Sequence, residues 1–156
     1  MGSKNKRKQP KIISDESKSQ KKPVVKENPE AYFTKTPKWS FKYFDSEHER
    51  WGFAAFSNNI KDILETFKAR ERMTWNDIFS QSGGRAKGKN NHFITIDKFI
   101  PEAQVRLNEI KRDTDSLFSL RVNGKFRIWG EIFEGIFSVI WIDTEHEICP
   151  SNRKHT

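Results

Sequence analysis

Apolar residues recur along this chain with two different periods. From residue 117 the runs LFSLRV, KFRIWGEIF and IFSVIWID alternate large apolar with small or polar residues, and Asn123-Gly124 and Glu134-Gly135 separate them. Alternation of period two, interrupted by glycine-bearing turns, predicts three strands of an antiparallel meander. Register follows from keeping one face apolar. A three-residue loop with Gly124 in a left-handed bulge sets Leu120 opposite Phe126 and Phe118 opposite Ile128. A two-residue turn at Glu134-Gly135 sets Ile132 opposite Phe137, Gly130 opposite Val139 and Ile128 opposite Trp141. The reverse face then collects Ser119, Arg121, Lys125, Arg127 and Trp129. It also carries Ile140 and Ile142, which need a cover from a helix or from the segment 39–45.

Upstream the period lengthens to 3.6. After Ser57, read as an N-cap, Ile60, Ile63, Leu64 and Phe67 fall at i, i+3, i+4 and i+7, which predicts a helix over about 58–71. Thr74 followed by Asp77 is a short form of the capping box and starts a second helix with Trp75, Ile78 and Phe79 on its apolar side. Pro101 suits the first turn of a third helix, with Ala103, Leu107 and Ile110 inward and Glu102, Arg106 and Glu109 outward. WSFKYFD (39–45) and HFITI (92–96) read as short extended pieces. The fold class is therefore α+β: two or three helices packed on a C-terminal antiparallel meander, forming one domain over 37–156.

Residues 1–36 are rich in Lys, Ser, Gln and Pro, a composition that buries too little apolar surface to offset ordering, so a disordered basic tail is expected. The tail changes the meaning of the net charge of +8. Residues 1–26 carry nine Lys/Arg against two acids, a net of +7, which leaves only +1 for the other residues. Phosphate binding by the folded part must rest on local clusters, while the tail can attract phosphates by itself. The absence of a long apolar run argues against a membrane span or a secretory signal, so a cytoplasmic location is expected. The single cysteine, Cys149, cannot form an internal disulfide.

Two helical segments, a connecting region and a meander whose arginines share a face resemble the RelE/ParE-like superfamily of small bacterial toxins. The pieces SLFSLRVNGKFRIWGEIFEGIFSVIWIDTEHEI and the basic, histidine-bearing end carry the likeness, over about residues 57–156. The ending GKFRIWG through FSVIWIDTEHEICPS is also similar to a group of uncharacterised bacterial mobile-element proteins. The superfamily resemblance implies RNA as partner, ribosome-bound messenger RNA among its forms, and an antitoxin protein that restrains the activity. By position it makes Arg121 and Arg127 phosphate clamps and His146 or His155 the C-terminal catalytic group. The chain departs from the family pattern in its long segment before residue 57 and in Asp143, Glu145 and Glu147, which stand where many relatives are basic.

Metal-independent RNA cleavage needs a base for the 2′-OH, an acid for the leaving oxygen and cations aimed at the phosphate. His146 or Glu145 fits the base, His155 the acid, and Arg121 with Arg127 the clamp. Lys125, Arg153 and Lys154 are further phosphate contacts, and Trp129 could stack a base beside Arg127. The loop SGGRAKGKNN (82–91) offers Arg85, Lys87 and Lys89 to a nucleic-acid backbone but lacks the spacing of a P-loop. His146 has no second histidine at strand or helix spacing, so no metal and no cofactor are expected. The plainer reading of DTEHE is a solvated strand end, and that of Trp129 is a core position against a helix. The alternative function is a non-catalytic nucleic-acid- or protein-binding module of a mobile-element or phage-defence system.

Overall fold

The computed structural model describes residues 28–83 and 88–151. The fold is α+β. Strand β1 (Lys38–Ser40) is followed by helices α1 (Phe53–Asn58), α2 (Ile60–Arg70) and α3 (Trp75–Ser80), and by a two-stranded ribbon of β2 (Ser82–Gly83) and β3 (Gly88–Lys89). Then come β4 (His92–Thr95), α4 (Pro101–Glu109) and the meander β5 (Ser116–Asn123), β6 (Phe126–Phe133) and β7 (Ile136–Asp143). The main sheet has the order β1-β7-β6-β5-β4, with β1 parallel to β7 and the other neighbours antiparallel. No helix among the described residues is long and apolar enough to cross a membrane.

Both faces of this sheet are covered. On the front, α2, α3 and the segment around Tyr32 pack on Phe118, Leu120, Ile128, Phe137 and Ile142. On the back, α4 supplies Ala103 and Leu107 against Leu117, Trp129, Ile140 and Trp141. Each fully buried apolar side chain contributes about 1.5–3 kcal/mol relative to exposure, so α4 answers the need for a cover over Ile140. The capping box at α3 forms as its residues predict: the Asp77 amide donates to Thr74 Oγ1 at 3.2 Å and the Thr74 amide to Asp77 Oδ2 at 3.0 Å.

Several expectations are corrected. The folded part begins before residue 37, because Asn28 caps a 3-10 turn at Pro29–Tyr32 and Tyr32 is buried against Trp75. The strand expected over 39–45 is only three residues long, since the chain turns at Lys42-Tyr43 to bring Asp45 under α4. Ser57 is not an N-cap: it lies inside α1, and Asn59 precedes α2. Residues 1–27, with most of the basic tail, lie outside the described residues.

The meander register also differs, because both outer strands carry bulges. Phe118 faces Gly130 and Leu120 faces Ile128, with Val122 as the extra residue before Asn123 pairs with Phe126. In the second hairpin Ile132 faces Phe137 and Gly130 faces Val139 as expected, but an extra residue, Ile140, then sets Trp129 opposite Trp141 and Arg127 opposite Asp143. A bulge places two successive side chains on one side of the sheet. Ile140 and Trp141 therefore both lie on the back, Ile142 moves to the front, and Asp143 joins the arginine face.

The bulge is satisfied locally by the segment that precedes α1. The Asp45 amide donates to the Ile140 carbonyl at 3.0 Å, and the Ile142 amide donates to the Trp51 carbonyl at 2.9 Å. Opposite the bulge stands Gly130, where a Cβ would lie 2.2 Å from the Ser138 carbonyl oxygen and 2.8 Å from the Phe137 ring. Backbone cannot yield there as a side chain can. Gly130→Ala is expected to lower stability by about 3 kcal/mol, read from urea unfolding, and a loss below about 0.5 kcal/mol would contradict this packing.

Asp45 also ties the layers together electrostatically. Its carboxylate accepts two bonds from the Arg106 guanidinium, at 2.8 and 2.7 Å, and one from the Trp141 indole at 3.0 Å. Burial by itself raises its pKa, but Arg106 and then Trp141 outweigh it, and the carboxyl sits below its ordinary value. A carboxyl depressed in the folded state adds stability above its unfolded pKa of about 3.9, lost as pH falls through the folded value. The stability of Asp45→Asn should accordingly be lower at neutral pH and depend less steeply on pH below about 4, as followed by denaturation at a series of pH values.

Candidate functional site

The end of the back face that α4 leaves open gathers the polar residues of the meander. In one cross-strand row stand Arg121, Arg127 and Asp143, from β5, β6 and β7. In the next row His92 of β4 faces Ser119, which faces Trp129. Alternation puts His92 on the same side of the sheet as the two arginines. Beyond β7 the chain loops back so that His146, in a left-handed conformation with φ of +57°, comes within electrostatic reach of Arg127, Asp143, His92 and Arg121.

Asp143 builds that loop. Its fully buried carboxylate accepts the amides of Glu147 at 2.9 Å and Ile148 at 3.1 Å and the Trp129 indole at 3.2 Å. Glu147 is then held from the other side by Arg50 and by the Trp51 indole, and the Ile148 carbonyl accepts the Ile100 amide. His146 is thus a short bridge between two anchored points.

Apart from the exposed Arg72, the described arginines fall into two sets. Arg50, Arg106 and Arg112 are paired with Glu102 and Glu147, with Asp45 and Glu109, and with Glu131. Among the described residues no carboxylate stands within ion-pair distance of Arg70, Arg121 or Arg127. Arg121 donates to Asn90 Oδ1 at 2.9 Å, Arg127 to the Gly124 and Phe126 carbonyls at 2.7 and 3.0 Å, and Arg70 to the Arg121 carbonyl at 3.2 Å. These are neutral acceptors, which orient a guanidinium and leave its charge uncompensated. Burial and then Arg121 push the Arg127 pKa down, with Asp143 opposing, and burial alone does so for Arg70. Arg121 and Arg127, neighbours in one cross-strand row with no carboxylate at ion-pair distance among the described residues, make a site for an anion.

Burial, and after it the neighbouring cations, lower both histidines from their ordinary value. Burial and then Arg127 lower the His146 pKa, with Asp143 opposing. Burial lowers His92 as well, against a hydrogen bond to the Lys89 carbonyl that favours its protonated form. A neutral imidazole beside two guanidiniums can accept a proton, and an arriving phosphodiester would cancel part of the positive field and favour protonation.

Of the residues singled out in the sequence, Arg121, Arg127 and His146 come together. Glu145 is exposed on the same loop, Lys125 is exposed in the β5–β6 turn, and Lys89 is exposed on β3. Trp129 is corrected: its ring is fully buried, 5.0 Å from that of Phe99, so it cannot stack on a base and instead supplies a donor to Asp143. Arg85, Lys87, Arg153, Lys154 and His155 lie outside the described residues. Burial pushes the Cys149 thiol up, which does not suit a nucleophile.

Sequence reasoning missed His92, Asn90 and Asn91 as parts of the site, and Arg70 as a support that holds the Arg121 carbonyl from α2. Asn91 is fully buried and links three elements, donating to the Ile78 carbonyl and to Gln81 Oε1 at 2.9 Å each while accepting the Arg121 amide at 2.9 Å. The alternation in HFITI was a usable signal for His92, but only the pairing of β4 with β5 says which face it shares. Among the described residues no group of three or more His, Cys, Asp or Glu side chains is gathered to hold a metal ion. The chain matches no family model, no curated protein and no solved structure.

Proposed function

We propose that this chain is an RNA-binding, endoribonuclease-like domain of the RelE-like toxin type, acting in the cytoplasm and restrained by an antitoxin protein. The observation that carries this reading is the pair Arg121 and Arg127, adjacent on one sheet face, with no carboxylate at ion-pair distance among the described residues and with His146 within electrostatic reach. The helix pair followed by a meander with its arginines on a shared face supports the family assignment.

In this reading the guanidiniums bind the scissile phosphate and stabilise the charge that builds on it as the 2′-oxygen attacks. His146, neutral before substrate arrives, takes the 2′-OH proton. Glu145, exposed on the same loop, is a weaker candidate for that role, because nothing in its surroundings aims it at the arginines.

The test is incubation of the purified chain with messenger RNA in the presence and absence of a chelator, alongside induced expression in a bacterial host. Shortened messages with the chelator present, together with growth arrest, are the expected result. Retention of RNA on a filter without any shortening, and unaffected growth, would overturn the catalytic reading in favour of a nucleic-acid-binding module.

A further inference from the structure

We infer that His92 is the general acid of this site, the partner of His146 across the arginine pair; the assignment rests on the ribonuclease reading above. In-line displacement at a phosphodiester needs the base and the acid on opposite sides of the phosphorus, with the clamp between them. The sheet supplies that arrangement. His92 enters from the β4 edge, through the row that passes Ser119, and His146 enters from beyond β7. Arg121 and Arg127 lie on the strands between them. The two imidazoles are close enough to influence one another, and both feel Arg127.

The roles follow from what each ring faces. His146 has Arg127, Arg121 and His92 as its cationic neighbours and only Asp143 opposing, which suits a ring that begins neutral. His92 stands exposed on the β4 edge, where the Lys89 backbone favours its protonated form and Lys89, Lys98 and Arg127 oppose it. Open to solvent, this ring takes up a proton once the phosphate has offset the cations beside it, and so enters the reaction as an imidazolium.

The chemistry balances without a co-reactant. The 2′-oxygen forms a bond to phosphorus as its proton passes to His146, the P–O5′ bond breaks, and His92 gives its proton to the departing 5′-oxygen. The products are a 2′,3′-cyclic phosphate and a 5′-hydroxyl. Exchange with water returns both rings to their starting states. The acid role that the sequence pattern offered to His155 thereby falls to His92.

A leaving group that needs no proton separates acid from base. The probe is an oligoribonucleotide cleaved by the intact chain, compared with the same molecule carrying sulfur in place of the 5′-oxygen at the scissile bond. His92→Ala is expected to slow cleavage of the oxygen substrate by about 100-fold or more and to cleave the sulfur substrate within a few-fold of the intact chain. His146→Ala should slow both alike. His92→Asn, which keeps a polar side chain on the β4 edge, checks that the loss does not come from misfolding and should behave as His92→Ala does. Equal rates for His92→Ala and the intact chain on the oxygen substrate, or equal slowing on both substrates, would overturn the acid assignment alone. Failure of the intact chain to cleave either probe would overturn the ribonuclease reading and this assignment with it.

Discussion

Alanine at Arg127 is expected to reduce RNA cleavage by about 100- to 1,000-fold, the usual cost of losing one transition-state donor, while leaving the protein as stable as before. The two halves of this expectation have one origin. Arg127 is partly desolvated, lies beside Arg121 and has no carboxylate in ion-pair contact among the described residues, so its charge strains the folded state. Its two bonds run to turn carbonyls, each replaceable by water. Removing it deletes a few weak attractions, including that of Asp143, and one repulsion, which together should change stability by less than about 1 kcal/mol. Arg127→Lys keeps the charge without the fork and should fall between the two. Single-turnover cleavage and urea unfolding on the same preparations decide the matter. Full activity, or unfolding that accompanies the loss, would remove Arg127 from the site.

The second large effect is expected at Asp143, for the opposite reason. Its carboxylate holds two backbone amides and an indole in a fully buried setting. Alanine would leave those donors without an acceptor, at about 1–3 kcal/mol each, so a loss of about 3–5 kcal/mol is expected. Asn is no remedy, because both oxygens accept N–H bonds and an amide would turn one donor against another. In either variant the loop 144–148 should loosen, and the His146 ring resonance should move toward that of a solvent-exposed histidine. A loss below about 1 kcal/mol with an unmoved resonance would mean that the loop is held by other contacts, such as Arg50 and Trp51 on Glu147.

The elements were more legible in the sequence than their alignment. Period and caps identified α3, α4 and the meander, since these depend on neighbours within a few residues. The bulges at Val122 and Ile140 have no such local mark, and they decide which side chains share a face. Arg121 and Arg127 were found because both precede the disturbance in their strands or stand clear of it. Trp141 and Ile142 were misplaced because one extra residue reverses parity for everything that follows it. His92 was visible as a residue but not as a neighbour, because β4 and β5 are separated by α4.

The parallel pairing of β1 with β7 bears on how the molecule is made. Lys38–Ser40 have their partners at Ile136–Ser138, Asp45 its indole contact at Trp141, and Trp51 its carboxylate at Glu147. These contacts span roughly a hundred residues, and such long closures form late. During translation the aromatic-rich early segment therefore waits, unsheltered, until residues 136–148 have left the ribosome. The same event brings Asp143 and His146 beside the arginines, so no nascent fragment short of those residues can contain the assembled site.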